Sequence, residues 1–424
     1  MALEVELRID RLAKTGEGVG SFEGQSIFVP NVVPGERVQV RLLESGWPRR
    51  GELLAVLLPS PDRRTPPCPL SEVCGGCGWL HLIESAQRAA KLEIVLSSLE
   101  HLGGVRRSEI QVMPTMGSVR QLGYRRRAVM HFSGGQLAFF SRRGRRAVPI
   151  ETCPALVDPI SKLPGLLSPF LAAFGNDIDE VHLLAEGNQS AFAVFLRAQV
   201  RPSHLRGCEQ AVTTLGLSGA VVVPREGAPV TIREPVLRAR PSADLGVPIY
   251  LRPDAFAQNN AEANEDLVRS AIQALAAGPG ERILELYCGN GNFTFAICKS
   301  AGAVTSVEHS PVALELARRS AQEGRVTNVR FVQGEVGRVC DGLVAERTRF
   351  DRILADPPRM GASRIARWAD CLKVRSVVYV ACDPGALARD AGRLRAAGFS
   401  PQTLQLVDLF PQTPHVEAVM SFSR

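Results

Sequence analysis

From about residue 246 to the C terminus, short apolar runs alternate with helix-length segments: ERILEL, a Gly-containing loop and helix, AVTSVE, helix, VRFVQ, helix, DRILA, helix, SVVYVA, helix. Strands separated in this way pair in parallel, and the crossover helices cover both faces of the sheet, which is an α/β fold. The last two runs, LQLVDLF and VEAVMSFS, have no helix between them and therefore close the sheet as an antiparallel pair. Residues 246–424 are read as a Rossmann-like, mostly parallel sheet of seven strands.

A chain of 424 residues exceeds one hydrophobic core, so other domains precede this one. Residues 1–58 alternate apolar and polar positions in short runs broken by Gly and Pro (VELRI, GVGSF, QSIFVP, ERVQVRLL, GELLAVLL), the pattern of a small β-barrel such as an OB-fold. Residues 59–109 hold a Pro-rich joint, a cysteine loop and a helix, SAQRAAKLEIVLSSLEHLGG, stopped by a Gly pair. Residues 110–245 read as a mixed α/β region that opens with a hairpin turning at Ser133-Gly134-Gly135. No apolar run reaches eighteen residues and the first twenty lack a signal-peptide stretch, so a cytoplasmic protein without a membrane partner is expected.

Two segments carry chemistry. Glu281–Ile297, ERILELYCGNGNFTFAI, is a strand, a turn and a helix start, where Gly289 and Gly291 let the backbone turn tightly and approach a bound nucleoside. Glu308 ends the next strand, where an acid accepts both ribose hydroxyls, and Asp356 ends the fourth, at the carboxyl edge where open sheets bind ligands. There is no third glycine at dinucleotide spacing and no Lys-Ser/Thr of a phosphate loop, which disfavours a dehydrogenase or an ATPase. In VVYVACDPGALARD, Cys382 stands at a strand end directly before a helix, with Asp383 as N-cap and Pro384 at the first helical position. The helix dipole there favours thiolate.

Ten cysteines in a cytoplasmic chain argue against a disulfide framework. Cys68, Cys74 and Cys77 follow C-x₅-C-x₂-C spacing and Cys153 stands apart in ETCPAL; four thiolates hold either zinc or an iron–sulfur cluster, and spacing does not choose. Cys208, Cys298, Cys340 and Cys371 sit in apolar surroundings and are read as core. The net charge of +7, nearly all from arginine, permits a polyanionic partner. Arg125, Arg126 and Arg127, and then Arg142, Arg143, Arg145 and Arg146, flank Phe132, Phe139 and Phe140. Such a segment either tracks phosphates and stacks on bases or is a solvated hairpin with its phenylalanines in the core.

RPDAFAQNN (Arg252–Asn260), the Gly loop, DPPRMG (Asp356–Gly361), CDP (Cys382–Pro384) and FPQTPHVEAV (Phe410–Val419), in this order, resemble the RNA uracil-5-methyltransferase family, class I enzymes dependent on S-adenosylmethionine, and the resemblance extends over nearly the whole chain. The N-terminal barrel with PGERV is similar to a TRAM domain, and CPLSEVCGGCGWLHL resembles the iron–sulfur branch, whose best-known members modify 23S ribosomal RNA. The resemblance implies that Cys382 adds to carbon 6 of a uracil and Glu417 removes the proton from carbon 5, giving 5-methyluridine. It places Gln258, Tyr287, Asn292, Glu308, Glu335 and Asp356 around the S-adenosylmethionine, and a [4Fe–4S] cluster with a folding or RNA-docking role on Cys68, Cys74, Cys77 and Cys153. The implied partner of this monomer is structured RNA, with 23S rRNA favoured and transfer RNA the alternative.

Two departures stand out. The family's SCNP reads ACDP, which sets Asp383 beside the nucleophile, where a carboxylate is expected to raise the thiol pKa. FFQVN reads FAQNN. Asp383 keeps open a reading of another class, a catalytically weak RNA-binding protein on a methyltransferase fold. Arg359 follows Asp-Pro-Pro where an adenine amino-methyltransferase carries an aromatic residue, and Ala381 precedes Cys382 where a cytosine-5 enzyme carries proline.

Overall fold

Eight strands build the C-terminal sheet, in the order Val329–Gln333, Ala303–Glu308, Arg282–Leu286, Arg352–Ala355, Ser376–Ala381, Ala418–Ser423, Ser400–Leu406 and Gln111–Val112. The structure is a computed structural model that describes residues 3–43, 48–142, 144–239 and 246–424. The first five strands are parallel, and Ala418–Ser423 runs antiparallel to both of its neighbours. Seven of the eight follow the pattern read from sequence. The eighth, Gln111–Val112, pairs in parallel with Thr403 and Leu404, and two residues are too few to show a period.

The helix Glu84–Gly103 packs along Pro384–Ala396. The two come together at Gly103, where a Cβ would stand 2.6 Å from the Ala388 carbonyl oxygen. Gly104, at φ 63°, returns its N–H to Leu99 O and ends the helix in a left-handed cap. Val95, Leu96 and Leu99 join Leu387, Ala391 and Leu394 in one apolar cluster, so this helix covers the catalytic-side sheet rather than following the cysteine loop. The chain also pairs across residue 245, where Leu237–Ala239 lies antiparallel to Ile249–Leu251.

The N-terminal strands Glu4–Leu12, Gly18–Phe22, Gln25–Val29, Arg37–Leu42 and Gly51–Leu58 form a five-stranded antiparallel sheet that curls around Leu7, Ile9, Ile27, Val29, Val38 and Val40. A central seven-stranded sheet includes the hairpin Arg127–Ser133/Gln136–Phe140. Its two turn residues, Gly134 and Gly135, both have positive φ (59° and 79°), as a type I′ turn requires. Cys208 and Cys340 are buried and Cys298 is half-buried against the core, but Cys371 is exposed at the end of the short helix Ile365–Cys371. Among the described residues no helix is long and apolar enough to cross a membrane.

Glu36 joins the barrel to the Pro-rich joint. Fully buried, it accepts the Val33 N–H at 2.7 Å, the Ser60 N–H at 3.4 Å and the Arg63 guanidinium at 2.5 and 2.8 Å. Burial alone would raise its pKa, but Arg63 and the backbone N–H groups outweigh burial and hold it below the ordinary 4.5. A depressed acid contributes stability that is present above its unfolded value and lost as pH falls through its folded one. Glu36→Gln is therefore expected to destabilise the fold by about 1–3 kcal/mol at neutral pH. Thermal unfolding of the two proteins should show that gap closing as pH drops below the glutamate range.

Candidate active site

The carboxyl ends of the parallel strands, with the antiparallel strand beside them, open into a cavity of about 840 Å³. Gln258, Tyr287, Gly289, Glu308, Asp356, Cys382 and Glu417 line it, together with Cys68, Cys74, Cys77 and Cys153. Ala381 and Ala418 pair across neighbouring antiparallel strands. Cys382 and Glu417 each lie one residue beyond that pair, at the same end of the sheet. Asp356 follows the strand on the other side of Cys382.

Cys382 is pushed up to about 12, first by burial and then by the charges of Glu417 and Asp356, with Arg359 opposing them. The thiolate expected from the helix dipole is thus not favoured: a helix end carries only about half a unit charge against two carboxylates and burial. Asp383 is not the source of this shift. Its side chain caps the helix through Ala386 N–H at 2.8 Å and pairs with Lys14 of the barrel at 2.5 Å. Burial pulls Asp383 upward, but Lys14 and the cap bond prevail and keep it low.

Burial raises Asp356 to about 7, and raises Glu417 well above the carboxylate range with the charge of Asp356 adding to it. Two carboxyl groups in one apolar cavity hold their protons jointly. A third acid lies beneath them. Glu285, fully buried, accepts the hydroxyls of Thr294 and Ser306 at 2.6 Å on one oxygen, while its other oxygen has no partner. Burial lifts it to about 7. Sequence reasoning passed over Glu285, although a lone acid in the apolar run ILEL was a visible signal.

In the loop after that strand, Tyr287 (φ 63°) and Gly289 (φ 56°) both adopt the left-handed region. For tyrosine this is strained, as residues at binding sites often are. Glu308 accepts the Gly289 N–H at 3.0 Å and the Ser310 N–H at 2.8 Å, one on each oxygen. Each oxygen keeps a further lone pair for a hydroxyl. Three predicted positions lie off the cavity wall. A Cβ on Gly291 would stand 2.6 Å from the Phe295 ring, so the glycine admits its own helix rather than a ligand. Asn292 exchanges amide bonds with Asn264 at 2.7 and 3.0 Å. Glu335 is exposed and caps the helix Val336–Ala345, accepting Gly337 and Arg338 N–H at 2.9 and 2.8 Å, bonds that lower its pKa.

The cysteine loop is fastened to the hairpin. Gly75 N–H donates to Phe140 O at 2.9 Å, and Arg142 donates to the carbonyls of Cys74 and Cys77 at 3.4 and 2.9 Å. Cys68, Cys74, Cys77 and Cys153 are all outside any disulfide. Burial raises Cys77 to about 11; Arg125 opposes this, and Cys153, Cys74 and Cys68 add to it. Among the described residues, no three His, Cys, Asp or Glu side chains close on a single metal ion.

The first arginine group is held by contacts within the protein. Arg126 is buried, bonded to Gln258 O at 2.8 Å and to Glu186 at 2.7 Å; Arg125 meets the Tyr124 hydroxyl at 3.0 Å and Arg127 meets His182 at 3.2 Å. Arg145 and Arg146 are exposed, and Arg143 lies outside the described residues. Phe132 and Phe139 pack on the central core, while Phe140 stacks on His131 with ring centres 3.9 Å apart. Phe256, the first residue of FAQNN, is 64% exposed on the cavity wall.

Residues 247–424 match the family model tRNA (Uracil-5-)-methyltransferase, and residues 4–46 match the TRAM domain. The 23S rRNA (uracil(1939)-C(5))-methyltransferase of Pseudomonas putida is 32% identical over 435 residues, covering 98% of this chain and 93% of the relative. The chain belongs to the RNA uracil-5-methyltransferase family. The Alcanivorax borkumensis enzyme of the same name is 31% identical over 448 residues, covering 98% and 96%. In fold, this methyltransferase is similar along its whole length to the Pyrococcus abyssi tRNA (uracil-54, C5)-methyltransferase, solved with S-adenosyl-L-homocysteine, with a TM-score of 0.72, 22% identity and coverage of 99% and 100%.

The raised thiol can be tested directly. Alkylation of Cys382, followed by peptide mass spectrometry, should still be accelerating with pH at 9.0, the ordinary thiol value. In Glu417→Gln the same profile should move to lower pH, because one of the opposing charges is gone. A profile identical to wild type would contradict this electrostatic description.

Proposed function

We propose that this enzyme converts a uridine of 23S rRNA to 5-methyluridine, with S-adenosylmethionine as methyl donor held over the Gly289 loop. The observation that carries the reading is Cys382 and Glu417, each one residue beyond the paired ends of adjacent strands, lining the same cavity as Asp356 and the Glu308 carboxylate. The cofactor supplies a methyl group on a positively charged sulfonium. Glu308 presents two oxygens suited to ribose hydroxyls, with Gln258 and Tyr287 beside it. Asn292 supports the loop through Asn264, and by family resemblance Glu335, whose oxygens also cap its helix, stands where an acidic or amide side chain meets the adenine.

Once its proton has left to solvent, the Cys382 thiolate adds to carbon 6 of the uracil; the C5–C6 π electrons pass to carbon 5, which takes the methyl group as its bond to the sulfonium sulfur breaks. Glu417 then takes the proton from carbon 5. The electrons of that C–H bond restore the C5–C6 double bond and expel the Cys382 thiolate. An acid with a raised pKa suits this work, because it binds a proton strongly once it has lost its own. Cationic charge brought into the cavity lowers Asp356, Glu417 and Cys382 together and so prepares both nucleophile and base.

Cys68, Cys74, Cys77 and Cys153 suit a [4Fe–4S] cluster. They are four soft donors, none in a disulfide, lining the same cavity, the thiolate set that a four-iron cluster takes. When bound, the cluster ties the loop to Cys153 of the central domain, a folding role, and supports the nearby exposed Arg145, Arg146 and Phe256 as RNA contacts. Asp383, engaged by Lys14 and its helix cap, no longer favours a catalytically weak RNA-binding protein.

Methyl transfer to RNA lacking 5-methyluridine, mapped by mass spectrometry, tests the reading. Wild type should modify a 23S fragment and Cys382→Ala should modify none. Modification confined to transfer RNA would change the substrate, and RNA and cofactor binding without any transfer would leave only the RNA-binding reading. Anaerobically purified protein should contain iron and acid-labile sulfide in equal amounts, both lost in Cys77→Ser. Zinc in their place would contradict the cluster.

A further inference from the structure

We propose that Gln87, assisted by Lys91 and Arg64, is a positioning residue for Glu417, acting through a buried clamp on the loop that carries it. The inference rests on the reading of Glu417 as the base that removes the carbon 5 proton.

Between the strands Ser400–Leu406 and Ala418–Ser423 the chain crosses residues 407–417 without a helix or strand of its own. Its course is fixed from outside. Gln412 is fully buried and left-handed at φ 67°, a conformation that a glutamine holds only when its surroundings impose it. Its N–H donates to Gln87 Oε1 at 2.8 Å, and its own Oε1 accepts Gln87 Nε2 at 2.9 Å and Arg64 Nη2 at 2.6 Å. Its carbonyl accepts the Trp79 N–H at 2.9 Å. One helical turn after Gln87, the buried Lys91 bonds Asp408 at 2.6 Å and Phe410 O at 2.8 Å. Tyr124 donates its hydroxyl to Pro411 O at 2.9 Å.

Residues 408, 410, 411 and 412 are thus each gripped by a group from the segment 64–124, five residues short of Glu417. Apolar packing would hold such a loop at lower desolvation cost. Paired amides and a buried ion pair instead set direction, since each bond is satisfied in one geometry only. Trp79 is two residues after Cys77, so the cysteine loop takes part in the same grip. The clamp touches neither Cys382 nor the Gly289 loop through any of these bonds. Loosening it should therefore impair proton removal more than thiol addition or methyl transfer.

In single-turnover reactions with unmethylated RNA, stalled proton removal leaves RNA covalently bound to Cys382 through a methylated uracil, seen as a retarded band on a denaturing gel. Gln87→Ala should raise that adduct at least about tenfold over wild type, part of the 10²–10⁴ that a placed base supplies. Gln412→Gly, which keeps the left-handed backbone and loses the amide pair, should do the same and decides the matter if Gln87→Ala does not fold. Glu417→Gln serves as reference. If it accumulates adduct and both clamp variants lose adduct and product in parallel, the clamp is structural only and the proposal is overturned. If Glu417→Gln itself accumulates none, the assignment of the base fails instead.

Discussion

Cys382, Asp356 and Glu417 share one buried cavity, and the three cannot all carry negative charge there. Burial raises each of them, and Glu417 and Asp356 raise the thiol further. A resting enzyme with a protonated thiol follows directly, and so does a condition for reaction: the cavity must gain positive charge or lose protons before the sulfur can attack. That condition couples chemistry to occupancy, because a cationic methyl donor changes the balance for all three groups at once.

The cavity is walled by the cysteine loop, the central domain and the C-terminal sheet, and the barrel bears on it from outside. The sheet provides Asp356, Cys382 and Glu417 at its carboxyl edge, as parallel sheets do for their ligands. The barrel reaches in through Lys14, which engages Asp383 beside the nucleophile. The hairpin holds the cysteine loop through Phe140 and Arg142, and the helix Glu84–Gly103 grips the loop before Glu417.

Much of this was legible in the sequence, for identifiable reasons. Strand–helix alternation gives the parallel sheet because the period itself encodes the crossover, and Asp356 and Cys382 are marked by standing where strands end. Gln111–Val112 was too short to have a period. The helix Glu84–Gly103 was visible as a helix, but which sheet it covers depends on Gly103 meeting Ala388, a contact far apart in the chain. The environment of Cys382 was misjudged in both directions, since the helix dipole and Asp383 are its neighbours in sequence while Glu417 and Asp356 are its neighbours in space. Arg126 likewise reads as surface charge until Glu186 and the Gln258 carbonyl arrive beside it. Glu335, predicted beside the cofactor, caps its own helix, because an acid two and three residues before free N–H groups finds them first.

The most direct test of the central claim is covalent trapping with RNA whose target uridine carries fluorine at carbon 5. Fluorine cannot leave as a cation, so a base that normally removes a proton has nothing to take and the enzyme stays attached to its substrate. Digestion and mass spectrometry should find the methylated fluorouracil nucleotide on the peptide containing Cys382. Attachment to any other cysteine, or turnover of normal RNA with no trapped complex at all, would contradict the assignment of Cys382 as nucleophile and the electrostatics built around it.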